Sequence, residues 1–150
     1  MSVLNNWMST RGPAAVIFVR LLVGAVFLSE GIQKFLFPQA LGVGRFAKIG
    51  IPAPEFLAPF VGVCEVVCGA LLVLGLLTRP AAIVLVFNIC VAIVTTKVPM
   101  LFHEGFWKMA HEARTDFCML LGGLFLLIVG AGSWSFDALA GGSSKGGPRK

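Results

Sequence analysis

Apolar residues in this chain come in long unbroken blocks, with no strand-like alternation. Four blocks stand out, over about residues 14–37, 56–77, 81–97 and 116–132. A helix rises about 1.5 Å per residue, so roughly 20 apolar residues cross the hydrocarbon layer of a bilayer. In lipid every backbone polar group must be satisfied internally, which selects helices for such runs. The pattern predicts an all-α, polytopic membrane protein, a four-transmembrane-helix bundle. Breakers separate the blocks. Pro38 closes the first, and a loop with Gly42, Gly44, Pro52 and Pro54 precedes the second. Pro59 falls in the first turn of the second block, where a missing N–H costs little. Thr78-Arg79-Pro80 reads as a tight turn, Pro99 as the end of the third block, and 97–115 as a polar loop. The third and fourth blocks are short, which calls for tilt or local bilayer thinning. Residues 1–140 form one membrane domain on this reading, and 141–150 (GGSSKGGPRK) a flexible basic tail. The first block lacks a small-x-small cleavage pattern after it and reads as an uncleaved span.

Composition agrees. Of 150 residues, 57% are hydrophobic and 13% charged, against about a quarter charged in soluble domains. A mean hydropathy of +0.92 excludes an ordinary soluble domain and disorder. The net charge is +5, but the basic residues are scattered and form no stripe that could track phosphates, so nucleic acid is not an expected partner. The bilayer is. An even number of spans puts both termini on one side. Trp7 and Trp134 flank that side and Trp107 the opposite one, as interfacial residues do. Lys and Arg do not orient the chain. Arg11, Arg79, Lys145, Arg149 and Lys150 on the terminal side balance Arg45, Lys48, Lys97, Lys108 and Arg114 opposite.

Ionisable residues inside the blocks carry the candidate chemistry, because a charge at a helix centre costs about 2.5–3.5 kcal/mol on insertion scales. In the first block Arg20 and Lys34 lie within about 40° of each other on a helical wheel, on a stripe with Gly24, Phe27 and Gly31. That stripe should face the bundle interior, where the glycines admit another helix. Glu30 stands one turn before Lys34 and can pair with it, while Lys34 alone could snorkel to the interface. Glu65 falls near mid-depth of the second block, on a face with Gly62, Gly69, Leu72 and Leu76. A carboxylate there must be paired or protonated. Asn88 in the third block can bridge helices or line a polar site. Asp116 opens the fourth, where an acid complements the helix dipole. Arg20, Glu30, Lys34, Glu65, Asn88 and Asp116 thus make a candidate buried polar pocket. Depth matching pairs Glu65 with Lys34, and Arg20 with Asp137 as a structural ion pair. Glu30, Lys34, Lys97, Arg114 and Asp116 are expected toward the non-terminal half.

Other motifs change little. Cys64, Cys68, Cys90 and Cys118 all fall in apolar stretches without a CxxC, so they read as small apolar side chains. Cys64 and Cys68 share a helix face beside Glu65, but helix geometry does not aim their thiols at each other. His103-Glu104 and His111-Glu112 are not an HExxH motif, since Trp107 occupies the second histidine position. No metal site is expected.

Together these segments resemble the DoxX family of small bacterial integral membrane proteins. The resemblance rests on Arg20-Leu21-Leu22-x-Gly24-x-x-Phe27 with Gly31 and Lys34, on Gly62-x-x-Glu65 through Gly69 to Gly75-Leu76-Leu77-Thr78-Arg79, and on Gly130-x-Gly132-x-x-Ser135-x-Asp137. It covers roughly residues 15 to 140. It implies a four-helix bundle, expected in the bacterial cytoplasmic (inner) membrane; the even span count puts both termini on the same side, expected to be the cytoplasmic one. It also implies a membrane component of a quinone- or thiol-linked redox or detoxification system, working with a redox partner protein. If the chain is an enzyme, it is an oxidoreductase subunit. A quinone needs an apolar slot and a few polar groups for its carbonyls; Glu65, Lys34 and Arg20 are the candidates, with Phe27 or Phe60 as ring contacts. Two other classes stay open. One is a small permease or channel, which needs a homo-oligomer because four short helices enclose little. The other is a non-catalytic scaffold for a partner enzyme.

Overall fold

A computed structural model describes residues 12–140, and every regular element among them is helical. Trp7, Arg11 and the expected tail at 141–150 lie outside the described residues. The elements are α1 (Val16–Leu36), α2 (Val43–Lys48), α3 (Pro54–Leu74), α4 (Thr78–Ala92), a π-helical turn (Ile93–Lys97), α5 (Val98–Glu104), α6 (Phe106–Glu112), α7 (Arg114–Val129) and α8 (Phe136–Ala140).

Among the described residues three stretches are long and apolar enough to cross a membrane: α1, α3, and the continuous helix from Thr78 to Glu104, which runs 27 residues. The third block is therefore the longest span rather than a short one. Pro99 does not end it. The π turn shifts the pairing so that the Val98 N–H reaches the Ile93 carbonyl, and Pro99 then falls in the first turn of α5, where no N–H is required. Thr95 and Thr96 turn their hydroxyls back onto the carbonyls of Val91 and Ala92, occupying acceptors that the altered ladder releases. The polar loop expected at 97–115 is likewise mostly helical, as α5 and α6 hinged at Gly105 (φ +86°). The turn between the second and third blocks lies at 75–77, with Gly75 and Leu77 left-handed, and Thr78-Arg79-Pro80 forms the first turn of α4. The fourth block is the 16-residue α7. At about 24 Å it is shorter than the layer it would have to cross.

The four long helices pack as a ring: α1 against α3, α3 against α4, α4 against α7, and α7 back against α1. Val23, Phe27, Leu72, Leu85, Ile89, Met119 and Leu126 fill the centre. Large apolar side chains cover the outside, among them Phe18, Phe56, Phe87, Val94, Leu121 and Ile128. A surface of that kind belongs in lipid.

The α1–α3 contact is the closest in the ring, and glycine makes it so. Gly24 and Gly31 meet Gly69 and Gly62, both pairs spaced seven residues apart. A Cβ on Gly69 would lie 2.7 Å from the Leu28 backbone nitrogen and 2.9 Å from the Gly24 carbonyl oxygen. Backbone cannot yield as a side chain can, so the helices must separate. Gly69→Ala is expected to lower stability by about 1–3 kcal/mol, the usual effect of overpacking. Detergent unfolding followed by circular dichroism checks this, and an unchanged midpoint would show that the contact is looser.

Candidate functional site

Glu65 is four per cent exposed, on the inner face of α3. It faces inward because Gly31 brings α1 so close that a Cβ there would touch the Glu65 side chain. Lys34, in the last turn of α1, donates from Nζ to Glu65 Oε2 at 2.6 Å. Asn88, from α4, donates through Nδ2 to Oε1 at 2.7 Å. One carboxylate is thus held by three helices, with both oxygens engaged. Lys34 neither snorkels away nor pairs with Glu30, which is exposed and in no ion pair with it. The centre keeps unused hydrogen-bonding capacity. An ammonium has three donors, and among the described residues Lys34 uses one and the Asn88 amide oxygen accepts from none. Neither residue is sealed, since both remain partly accessible.

Arg20 is not part of this centre. Buried on α1, it donates from Nε to Leu72 O (3.0 Å), from one terminal nitrogen to Val73 O (2.9 Å), and from the other to Ala131 O (3.0 Å) and Trp134 O (2.6 Å). The first two acceptors belong to the last turn of α3, where Leu72 O also accepts from the Gly75 N–H at 3.1 Å and Val73 O has no partner within the helix. A cation at a helix C-terminus is also favoured by the dipole.

Asp137 does the converse. Its two oxygens accept from the N–H groups of Leu77 (2.8 Å) and Thr78 (3.0 Å), which open α4. The expected Arg20–Asp137 ion pair is therefore replaced by two separate main-chain clasps at one end of the bundle. Backbone groups at the helix ends need those partners more than the two charges need each other. Ser135 and Gly75 complete the clasp. Ser135 donates to Gly132 O (2.6 Å) and accepts from Ala138 N. At Gly75 (φ +71°) a Cβ would lie 2.5 Å from the Arg20 Cζ. The Gly-Leu-Leu-Thr-Arg and Gly-x-x-Ser-x-Asp motifs are the sequence trace of this joint.

The remaining candidates gather elsewhere. Asp116, in the first turn of α7, pairs with Lys97 of the π turn at 3.2 Å. Arg114 is exposed and turned to the His111 carbonyl. Phe27 is buried in the core, but Phe60 points outward and stacks on Phe56, so it is no ring contact for an interior ligand. All four cysteines are free. An open cleft of about 730 Å³ lies between α2 and the π-turn region, its mixed lining including Arg45, Lys48, Thr95 and His103 beside apolar Ile49 and Met100. The sequence reading missed it because α2 carries no long apolar pattern.

With this geometry in view, comparison with known proteins is informative. The DoxX family profile matches residues 15–98. An uncharacterized membrane protein of Mycobacterium tuberculosis is 58% identical over 132 residues, covering 84% of this chain and 81% of its own. The protein named "Putative oxidoreductase CatD" in Bacillus subtilis is 26% identical, covering 81% and 83%. The Escherichia coli inner membrane protein YphA is 30% identical, covering 83% and 89%. No solved structure matches. The matched segment holds α1, α3 and α4 with the Lys34–Glu65–Asn88 centre, and this membrane protein belongs to the DoxX family.

Proposed function

We propose that this protein is a four-span component of the bacterial inner membrane serving a quinone- or thiol-linked redox or detoxification system, with Lys34, Glu65 and Asn88 as its ligand-contacting centre. The observation that carries the ligand reading is the unused capacity at that centre: spare ammonium donors on Lys34 and a spare amide oxygen on Asn88, inside an apolar bundle. Intramembrane ionisable groups mark ligand or proton sites more often than they mark packing alone. The names of the Bacillus subtilis and Escherichia coli relatives support the redox class and the inner membrane.

On this reading α7 is the fourth span. Its length falls short by a few ångströms, which tilt or local thinning accommodates, and its outer face carries exposed Leu121, Phe125 and Ile128. An even number of spans then puts both chain ends on the same side of the membrane, and we take that side to be the cytoplasmic one.

A quinone supplies two-electron redox chemistry when bound, with electrons exchanged through a partner protein. Lys34 would donate to a quinone carbonyl while Glu65 holds the ammonium in place. Asn88 fixes the carboxylate from the third helix.

Solvent extraction of the protein purified in mild detergent, followed by chromatography of the lipids, tests this. Quinone close to one per chain is expected in the wild type, with most of it lost in Asn88→Ala. That variant keeps the Lys34–Glu65 pair and so keeps the fold. Protein free of quinone, or equal quinone in both forms, would overturn the quinone reading.

A further inference from the structure

The cleft between α2 and the π-turn region is separate from the Glu65 centre, and its charges are arranged differently. Arg45 and Lys48 stand three residues apart on the six-residue α2, so they project from neighbouring positions. Both are exposed, and no ion pair among the described residues uses either. His103 lines the opposite wall. The one carboxylate in the lining, Glu104, is held by Lys108 one turn on. That carboxylate raises the Lys108 ammonium above its ordinary pKa range, so the lysine keeps its charge. The nearby Asp116 is taken by Lys97. The one acid in the lining is thus matched, and its two cations are in no ion pair among the described residues. Gln39, Thr95 and Thr96 add neutral polar groups to the lining.

We propose that this cleft binds a phosphate-bearing anion through Arg45, Lys48 and His103. A guanidinium presents a planar fork that matches phosphate oxygens, and the adjacent ammonium adds a point charge. The cleft sits at an end of the bundle, beside α6 with its highly exposed Trp107, at the level where lipid headgroups lie. Basic pockets at that level hold anionic headgroups. An anionic phospholipid and free inorganic phosphate share this chemistry, and the test separates them.

The full chain is reconstituted in nanodiscs of phosphatidylcholine with phosphatidylglycerol, and lipid retained on the protein is counted by native mass spectrometry. Selective retention of phosphatidylglycerol is expected, falling about tenfold in Arg45→Gln/Lys48→Gln as two surface cations are removed. Both positions are exposed, and circular dichroism verifies that the variant is folded. In a parallel arm, millimolar inorganic phosphate is added in detergent and the melting midpoint recorded. A rise in the wild type but not in the variant, without lipid selectivity, supports the same site with soluble phosphate as its ligand. Equal lipid retention and equal phosphate response in both proteins would overturn the proposal.

Discussion

Glu65→Leu is expected to destabilise the folded protein by about 3 kcal/mol, the lower end for breaking a buried pair, because it leaves the mostly buried Lys34 ammonium without its counter-charge. Lys34→Met should cost a similar amount by stranding the carboxylate. Lys34→Met combined with Glu65→Leu should lose less than either single change, since apolar side chains of similar volume often replace a buried ion pair at little cost. The pair joins α1 to α3 at 2.6 Å, across an interface already locked by glycine contacts, so neither partner can retreat to solvent without opening it. Unfolding in mixed detergent micelles, followed by far-ultraviolet circular dichroism, measures all three variants. A double variant that loses the sum of the two single losses would mean that the charges act independently.

Arg20→Met should be nearly as damaging, for a different reason. The carbonyl oxygens of Val73, Ala131 and Trp134 lose the arginine donor at once, while Leu72 O keeps the Gly75 N–H. A buried acceptor left unsatisfied costs about 1–3 kcal/mol. Local rearrangement and water will recover some of these at the bundle end, so a net loss of at least about 3 kcal/mol is expected. Arg20→Lys should rescue little, because one ammonium cannot span acceptors on both α3 and the segment after α7. Arg20 holds the Ala131–Trp134 end of the segment after α7, while Asp137 is held separately by α4 and Gly75, so the amides of residues 131–134 should lose hydrogen-exchange protection first. Uniform loss across all helices, or none, would show that the clasp is not what anchors that segment.

The two buried charge systems differ in how readable they are in the sequence. Lys34 and Glu65 could be matched because both lie on glycine-lined helical faces and at compatible depth, and side-chain periodicity carries that information. Depth matching brings Arg20 and Asp137 to the same end of the bundle, but each engages main-chain atoms rather than the other's charge. The competing partners are main-chain groups exposed by helix ends, and no residue type records where those ends fall. Pro99 differs from its sequence expectation for a related reason. A proline normally stops a helix, but the π turn before it moves the hydrogen-bond register, and two adjacent threonines supply the compensation. The Arg45–Lys48 cleft had no trace at all, since it forms only when a six-residue helix folds back beside a distant segment.

The Lys34–Glu65–Asn88 centre ties these observations to function, and added ligand probes it most directly. A short-chain quinone is titrated into purified protein, and the melting midpoints of wild type and Asn88→Ala are compared. Binding to the folded state alone gives about 2.7 kcal/mol of stabilisation at a hundredfold excess over Kd. The wild type should therefore melt several degrees higher with quinone, and Asn88→Ala should not respond. Identical shifts in both proteins, or no shift in either, would contradict a ligand role for the buried centre and leave its three residues as packing.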